Sequence, residues 1–295
     1  MHVDAERACG NETVSILNQL RKLDLSTDPF EEVKDLISGL GWYYADLPLR
    51  AGTIIIRART NEDCNSFTHK EELIYVPKER NRTYGRANSP LTTMFYAAAE
   101  PGSQEGGRFY PALVTCVCEL LQDWMQNEDA KGRRIVTFGY WRILRDLHLC
   151  AVVQNRDFGA ANESVRIVMD CVTKIFDSLK EKKDEAWTVS TFFADEFAKN
   201  VQNNYDYILS AAFAERTVSK RMDGVLYPSV CLDGRGFNIA LGPVPADDKI
   251  ELVAVRESSV YKKGTEFIIR DDAFVELRSS QTSFELVPIL NGGKS

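Results

Sequence analysis

A chain of 295 residues is long enough to bury a sizeable core, and 44% hydrophobic with 27% charged residues is the balance of a soluble globular protein. A net charge of −7 argues against a general nucleic-acid binder, which needs a basic footprint, and leaves room only for a local basic pocket. No apolar run approaches the ~18 residues of a membrane span, and the polar, acidic opening Met1–Arg7 does not read as a secretory signal.

Residues 1–47 read as helical. Val14, Ile16, Leu17 and Leu20 give Asn11–Leu23 one apolar face. A second helix starts at Asp28-Pro29-Phe30-Glu31-Glu32, with Asp28 as cap, Pro29 at the first position and acids in the first turn, and runs to Gly39 or Gly41. The pattern then turns to strands at Thr53–Arg59 and Leu73–Val76. Tyr84–Pro90 reads as a turn in which Gly85 and Asn88 supply unusual backbone conformations, feeding a strand at Thr93–Ala97.

Residues 99–111 read as a loop and Ala112–Trp124 as a mostly buried helix. Arg134–Trp141 and Leu147–Gln154 follow as strands, then a helix over Asn162–Lys182 and two more over Thr191–Thr217, broken near Asn203-Asn204. Strand candidates return at Val225–Val230, Asn238–Leu241, Ile250–Val255, Glu266–Ile269 and Phe284–Ile289. Strands early and late around a helical middle predict an α+β fold with mixed β-sheets. The expected organisation is a helical accessory segment at 1–47, a core at 48–260 and a β extension at 261–295.

A few residues stand out for chemistry. Glu119 interrupts the apolar run Leu113–Leu121; it is either the one exposed stripe of a helix or a carboxylate aimed into a pocket. Arg57 and Arg59, two apart on a strand, share a face suited to acidic side chains or phosphates. Arg86, in the turn before the strand that carries Tyr96, is either a surface arginine or part of a cradle for a phosphate and a flat heterocycle. Asp223–Leu241 reads as a strand, a glycine-rich turn and a second strand, with Ser229 just past Pro228.

Several classes are set aside. Ser229 lacks a G-x-S-x-G setting and no histidine is marked as its base, so a serine hydrolase has no support. Neither a phosphate-binding P-loop nor a dinucleotide G-x-G-x-x-G after a strand is present. Seven cysteines, odd in number and irregular in spacing, suit free thiols in a reducing cytoplasm. With three histidines and no paired cysteine spacing they offer no metal site.

Taken in order, Ile56-Arg57-Ala58-Arg59, Tyr84-Gly85-Arg86-Ala87-Asn88, Met94-Phe95-Tyr96-Ala97, Glu119 in its helix, Tyr207–Ala212, Asp223–Val230 and Phe237–Leu241 resemble the RES domain family across about residues 50–260. The resemblance implies an ADP-ribosyltransferase-like core and an enzyme that consumes NAD by cleaving its nicotinamide–ribose bond. It also implies membership of a toxin–antitoxin system, with a cognate antitoxin as partner. By the same resemblance, Arg57 and Arg86 hold the NAD pyrophosphate, Tyr96 packs on the nicotinamide side, and Asn88 belongs to the binding turn. Glu119 is the key acid and Ser229 the pocket serine, with Arg57 beside them in catalysis. Glu100, just past Tyr96, is the alternative acid; the apolar helical setting favours Glu119. A protein mono-ADP-ribosyltransferase and a catalytically silent NAD-binding module are the other readings.

Overall fold

A computed structural model describes residues 10–61, 65–99, 110–161, 163–201, 203–220 and 222–289. The elements in chain order are α1 (Asn11–Lys22), α2 (Phe30–Ser38), β1 (Asp46–Leu49), β2 (Ile54–Thr60), β3 (Phe95–Ala99), α3 (Tyr110–Leu120), α4 (Gln122–Gln126), β4 (Lys131–Ile143), β5 (Leu147–Ala151) and α5 (Arg156–Ala161). They continue with α6 (Glu163–Asp177), α7 (Lys183–Ala198), α8 (Ile208–Ser219), β6 (Gly224–Pro228), β7 (Phe237–Leu241), α9 (Pro243–Lys249), β8 (Ile250–Lys263), β9 (Glu266–Glu276) and β10 (Val287–Pro288). The α+β reading holds: the strands form one ten-stranded mixed sheet in the order β1-β5-β6-β7-β3-β2-β4-β8-β9-β10. Among the described residues only β5 and β6 run parallel.

Alternation along the central strands divides the core. Phe95, Ala97, Leu226, Phe237, Ile239 and Leu241 face one layer, covered by Val165, Val168, Val172 and Phe176 of α6. Tyr96, Val225, Tyr227 and Ala240 face the other, covered by α1, α2, α7 and α8. Farther along that second face, Ile56, Ala98, Val136 and Phe138 pack under Ala112, Leu113, Cys116 and Val117 of α3. Helices on both faces bury the sheet's centre, while β9 is half-buried to exposed apart from Ala273 and β10 is exposed.

Several local expectations give way to tertiary contacts. Asp28 does not cap α2: it adopts a left-handed conformation (φ 55°), and its carboxylate accepts the Tyr84 hydroxyl at 2.5 Å. Pro29 therefore sits one residue before the helix, while Glu31 and Glu32 occupy the first turn as the pattern requires. Leu73–Val76 is no strand. Bonds from Leu73 and Ile74 to the Lys70 carbonyl curl it into a turn that drops Leu73 into the core. The helix expected over 112–124 breaks at Leu121 into α3 and α4. Residues 100–109, and with them Glu100, lie outside the described residues.

Candidate active site

Strands β2 and β3 pair at one position among the described residues, Ile56 with Ala98. Beyond it they part: β2 continues against β4, and β3 against β7. The opening is spanned by Arg57, whose Nη1 donates to the Tyr96 carbonyl at 2.7 Å. A cavity of about 750 Å³ lies at this opening, within the range of about 300–1,000 Å³ usual for small-molecule sites. Its walls include Arg57 and Arg59 from β2, Tyr96 from β3, Glu119 from α3, Arg86, and Asn238 from β7.

Glu119 is half-buried near the C-terminus of α3 and is held from two sides. Its Oε1 accepts the Ser229 hydroxyl at 2.7 Å and the Asn238 side-chain amide at 2.7 Å. Donors on a carboxylate are worth about 1.5–3 kcal/mol each and fix its rotamer. Ser229 is fully buried behind Glu119. It is aimed by the loop between β6 and β7, which closes on itself through Ser229 N to Gly236 O (3.0 Å) and Gly234 N to Ser229 O (2.8 Å). Gly236 (φ 87°) lies flat against Thr115, one helical turn before Glu119; a Cβ there would collide with the Thr115 hydroxyl.

Arg57 is the perturbed cation of the cavity wall. Burial, and then the nearby Arg59 charge, lower its pKa to about 10. Its guanidinium lies over the Phe95 ring at 5.4 Å, and its buried Nε has no partner among the described residues. A shielded donor on a cation at a cavity wall matches an anionic ligand. Arg59 donates from Nη1 to the Glu72 carbonyl at 2.6 Å. Arg86 lines the cavity but is partly committed elsewhere: its Nη1 donates to the carbonyls of Phe197 (2.6 Å) and Lys199 (3.2 Å), and its guanidinium stacks on Tyr207 at 4.9 Å.

The turn before β3 is built around Tyr96. Its hydroxyl donates to Asn88 Oδ1 at 2.6 Å and accepts from Ala87 N at 2.9 Å. Asn88 thus stands behind Tyr96 rather than on the cavity wall. Gly85 is needed for room, not for an unusual backbone: a Cβ there would lie 2.8 Å from Asn88 Oδ1 and 3.1 Å from the Tyr96 hydroxyl. The left-handed residue of this segment is Leu91 (φ 62°), not Asn88. Glu215 of α8 ties the segment down, accepting from Ser89 N (3.0 Å), Ser89 Oγ (2.5 Å) and Thr92 Oγ1 (2.9 Å).

The thiols nearby are poor nucleophiles at neutral pH. Burial raises Cys116 to about 12; burial and then the Glu119 charge raise Cys118 to about 11 and drive Cys231 higher still. Among the described residues no group of His, Cys, Asp and Glu is arranged to hold a metal, and no helix is long and apolar enough to cross a membrane.

The sequence motifs contain Tyr207, Tyr227 and Asn238 without giving them a role, and Glu215 lies outside every motif. Asn238 had a signal, being the one polar residue in Phe237–Leu241. Glu215, set after Ala211-Ala212-Phe213-Ala214, had the same kind of mark as Glu119.

The RES domain model matches residues 57–261, from Arg57 at the sheet opening to the far end of β8. The chain belongs to the RES domain family. No curated protein matches it at a significant level. RES domains are generally associated with NAD-binding or NAD-consuming, toxin-like proteins. In this RES domain the matched stretch carries every wall residue named above, from Arg57 to Asn238.

Proposed function

We propose that this RES domain protein cleaves the nicotinamide–ribose bond of NAD. The observation that carries the reading is a carboxylate, Glu119, clamped by Ser229 and Asn238 in a cavity that also presents Arg57 and Arg59. The cavity volume and its mix of cationic, aromatic and carboxylate walls fit a dinucleotide.

In the proposed reaction the bond between the ribosyl C1′ and the pyridinium nitrogen breaks, and its electron pair moves to that nitrogen. Nicotinamide leaves neutral, so no general acid is needed. Positive charge develops on the ribosyl carbon and ring oxygen, as in glycoside cleavage. Glu119, already oriented, opposes that charge or grips a ribose hydroxyl. Arg57, assisted by Arg59 and the charge of Arg86, neutralises the pyrophosphate and fixes the dinucleotide's direction. Tyr96 supplies a flat wall beside the nicotinamide. Asn88 and Ser229 act through the groups they hold, Tyr96 and Glu119. A nucleophile then bonds to C1′; if it is water, one proton passes to solvent. The family's association with toxin-like proteins supports a toxin role, restrained by an antitoxin.

The test is nicotinamide release by the purified chain, wild type against Glu119→Gln, with NAD affinity measured on both. Loss of release with retained binding supports the reading; full release by the variant overturns it. Labelled NAD incubated with lysate and phosphate separates the acceptors: label left on protein marks an ADP-ribosyltransferase, free ADP-ribose a hydrolase, and phosphorylated ADP-ribose a phosphorylase. Thermal stabilisation by NAD without turnover marks a silent binding module.

A further inference from the structure

The far end of the sheet ends on an open edge. Strand β9 pairs with β8 along its length, but β10 covers only Ala273 and Phe274. One further bond, Ile289 N to Asp272 O at 2.8 Å, closes that contact. Among the described residues nothing pairs with the outer edge of Glu266–Asp271. The segment Glu266-Phe267-Ile268-Ile269-Arg270 is apolar at its middle, and Ile268 is 63% exposed. Long exposed apolar edges template strand addition, and proteins ordinarily blunt them.

The register of the edge follows from the hairpin. Lys263 and Glu266 flank a two-residue turn with Gly264 at φ 64°. Such a turn closes on a hydrogen-bonded pair, so Glu266 directs its backbone groups at β8. Alternation then turns the N–H and C=O groups of Phe267 and Ile269 outward. An antiparallel copy of the same strand, centred on Ile268, sets Phe267 against Ile269 of the second chain, outward groups on both sides. The same register sets Ile268 against Ile268 and Glu266 against Arg270, twice. Glu266, Ile268 and Arg270 share the exposed face. Glu266 has no ion-pair partner among the described residues, and Arg270 holds Asp272 at 3.1 Å while 53% of its side chain stays exposed. Backbone polarity, apolar contact and charge therefore agree in one self-complementary register.

We propose that the β9 edge is a homodimerisation surface, joining two chains through Glu266–Arg270 into one continuous sheet about a two-fold axis at Ile268. A ribbon this short buries less than the roughly 1,200 Å² of a standard stable interface, so the dimer is weak and concentration-dependent. The cavity takes no residue from β9, so the proposal does not rest on the NAD reading.

Sedimentation equilibrium on the full chain over a range of concentrations tests it. A reversible dimer is expected. Ile268→Lys, which sets two like charges on the axis, and Glu266→Arg, which opposes Arg270, each weaken it about tenfold or more. The double variant Glu266→Arg with Arg270→Glu restores it to near wild type, since exchanged charges face each other again. Thermal melts on each variant check that all are folded. A monomer at every concentration overturns the proposal, as does a dimer indifferent to Ile268→Lys or unrestored by the double exchange. A monomer that dimerises only after removal of residues 290–295 also overturns it, because the chain's own tail then occupies the edge.

Discussion

The hydroxyl of Ser229 and the carboxylate of Glu119 meet at 2.7 Å across 110 residues of chain. The loop between β6 and β7 and the end of α3 are thereby locked together at the cavity wall. Asn238, on the next strand, donates to the same oxygen. Losing either donor frees the carboxylate to rotate. Ser229→Ala and Asn238→Ala are each expected to lower kcat for nicotinamide release by about ten- to a hundredfold, from about 1.5–3 kcal/mol per bond. NAD affinity should change little. A loss confined to KM would assign these residues to binding instead.

Gly236 sets how closely that loop approaches α3. Its positive φ and its contact with Thr115 leave no space for a side chain. Gly236→Ala should destabilise the fold by about 1–3 kcal/mol and separate Ser229 from Glu119. A thermal melt and a nicotinamide-release assay read the two effects. Thr115→Gly in the same chain, which makes room for the new methyl, should recover part of the activity even though it adds a helix glycine. An unchanged melting temperature in Gly236→Ala would show that the loop yields freely.

Arg57 titrates far below an ordinary arginine, at about 10, because burial and then Arg59 disfavour its charge. For stability the depressed value is a penalty: it is fully present while Arg57 is protonated and is relieved as pH rises through about 10. Anion binding runs the other way, since it needs the cation. NAD affinity should be flat from about pH 6 to 9 and fall as pH passes about 10. Removing the neighbouring charge with Arg59→Gln should move that fall to higher pH. Calorimetric titration across the range checks both; an affinity unchanged to about pH 11 would remove Arg57 from the phosphate site.

Tyr96, on the cavity wall, and Asn88, behind it, form a structural pair. Tyr96→Phe keeps the ring but strands Asn88 Oδ1 and Ala87 N, for about 1–3 kcal/mol of stability. Nicotinamide release at saturating NAD should survive in the folded fraction, whereas Tyr96→Ala should lose it through the missing wall. Equal activity in the two variants would mean that the ring takes no part.

Glu215 serves the same turn from α8. Glu215→Ala removes the acceptor of Ser89 N and Ser89 Oγ and leaves Thr92 Oγ1 with the Ser89 carbonyl alone. A lower melting temperature and a raised KM for NAD with kcat retained are expected, because the turn that presents Arg86 loosens while Glu119 is untouched. A kcat defect alone would point to a different coupling.

Local pattern alone determined much of this protein. Periodicity places α1, α6 and the break between α7 and α8, and the apolar runs place β2 and β7, because each buries a face whose spacing is written into consecutive residues. Lone polar residues in apolar runs marked Glu119, and marked Asn238 equally well. Only the tertiary structure decided the rest. Asp28 abandons its capping role because a Tyr84 hydroxyl distant in sequence supplies a better partner. Leu73–Val76 curls because the core takes Leu73 more favourably than a sheet edge would. Arg86 is partly spent on the carbonyls that end α7, a demand no neighbour in sequence announces. The cavity exists because β2 and β3 part after a single pair, and pairing between strands is a property of the whole sheet, which no single stretch encodes.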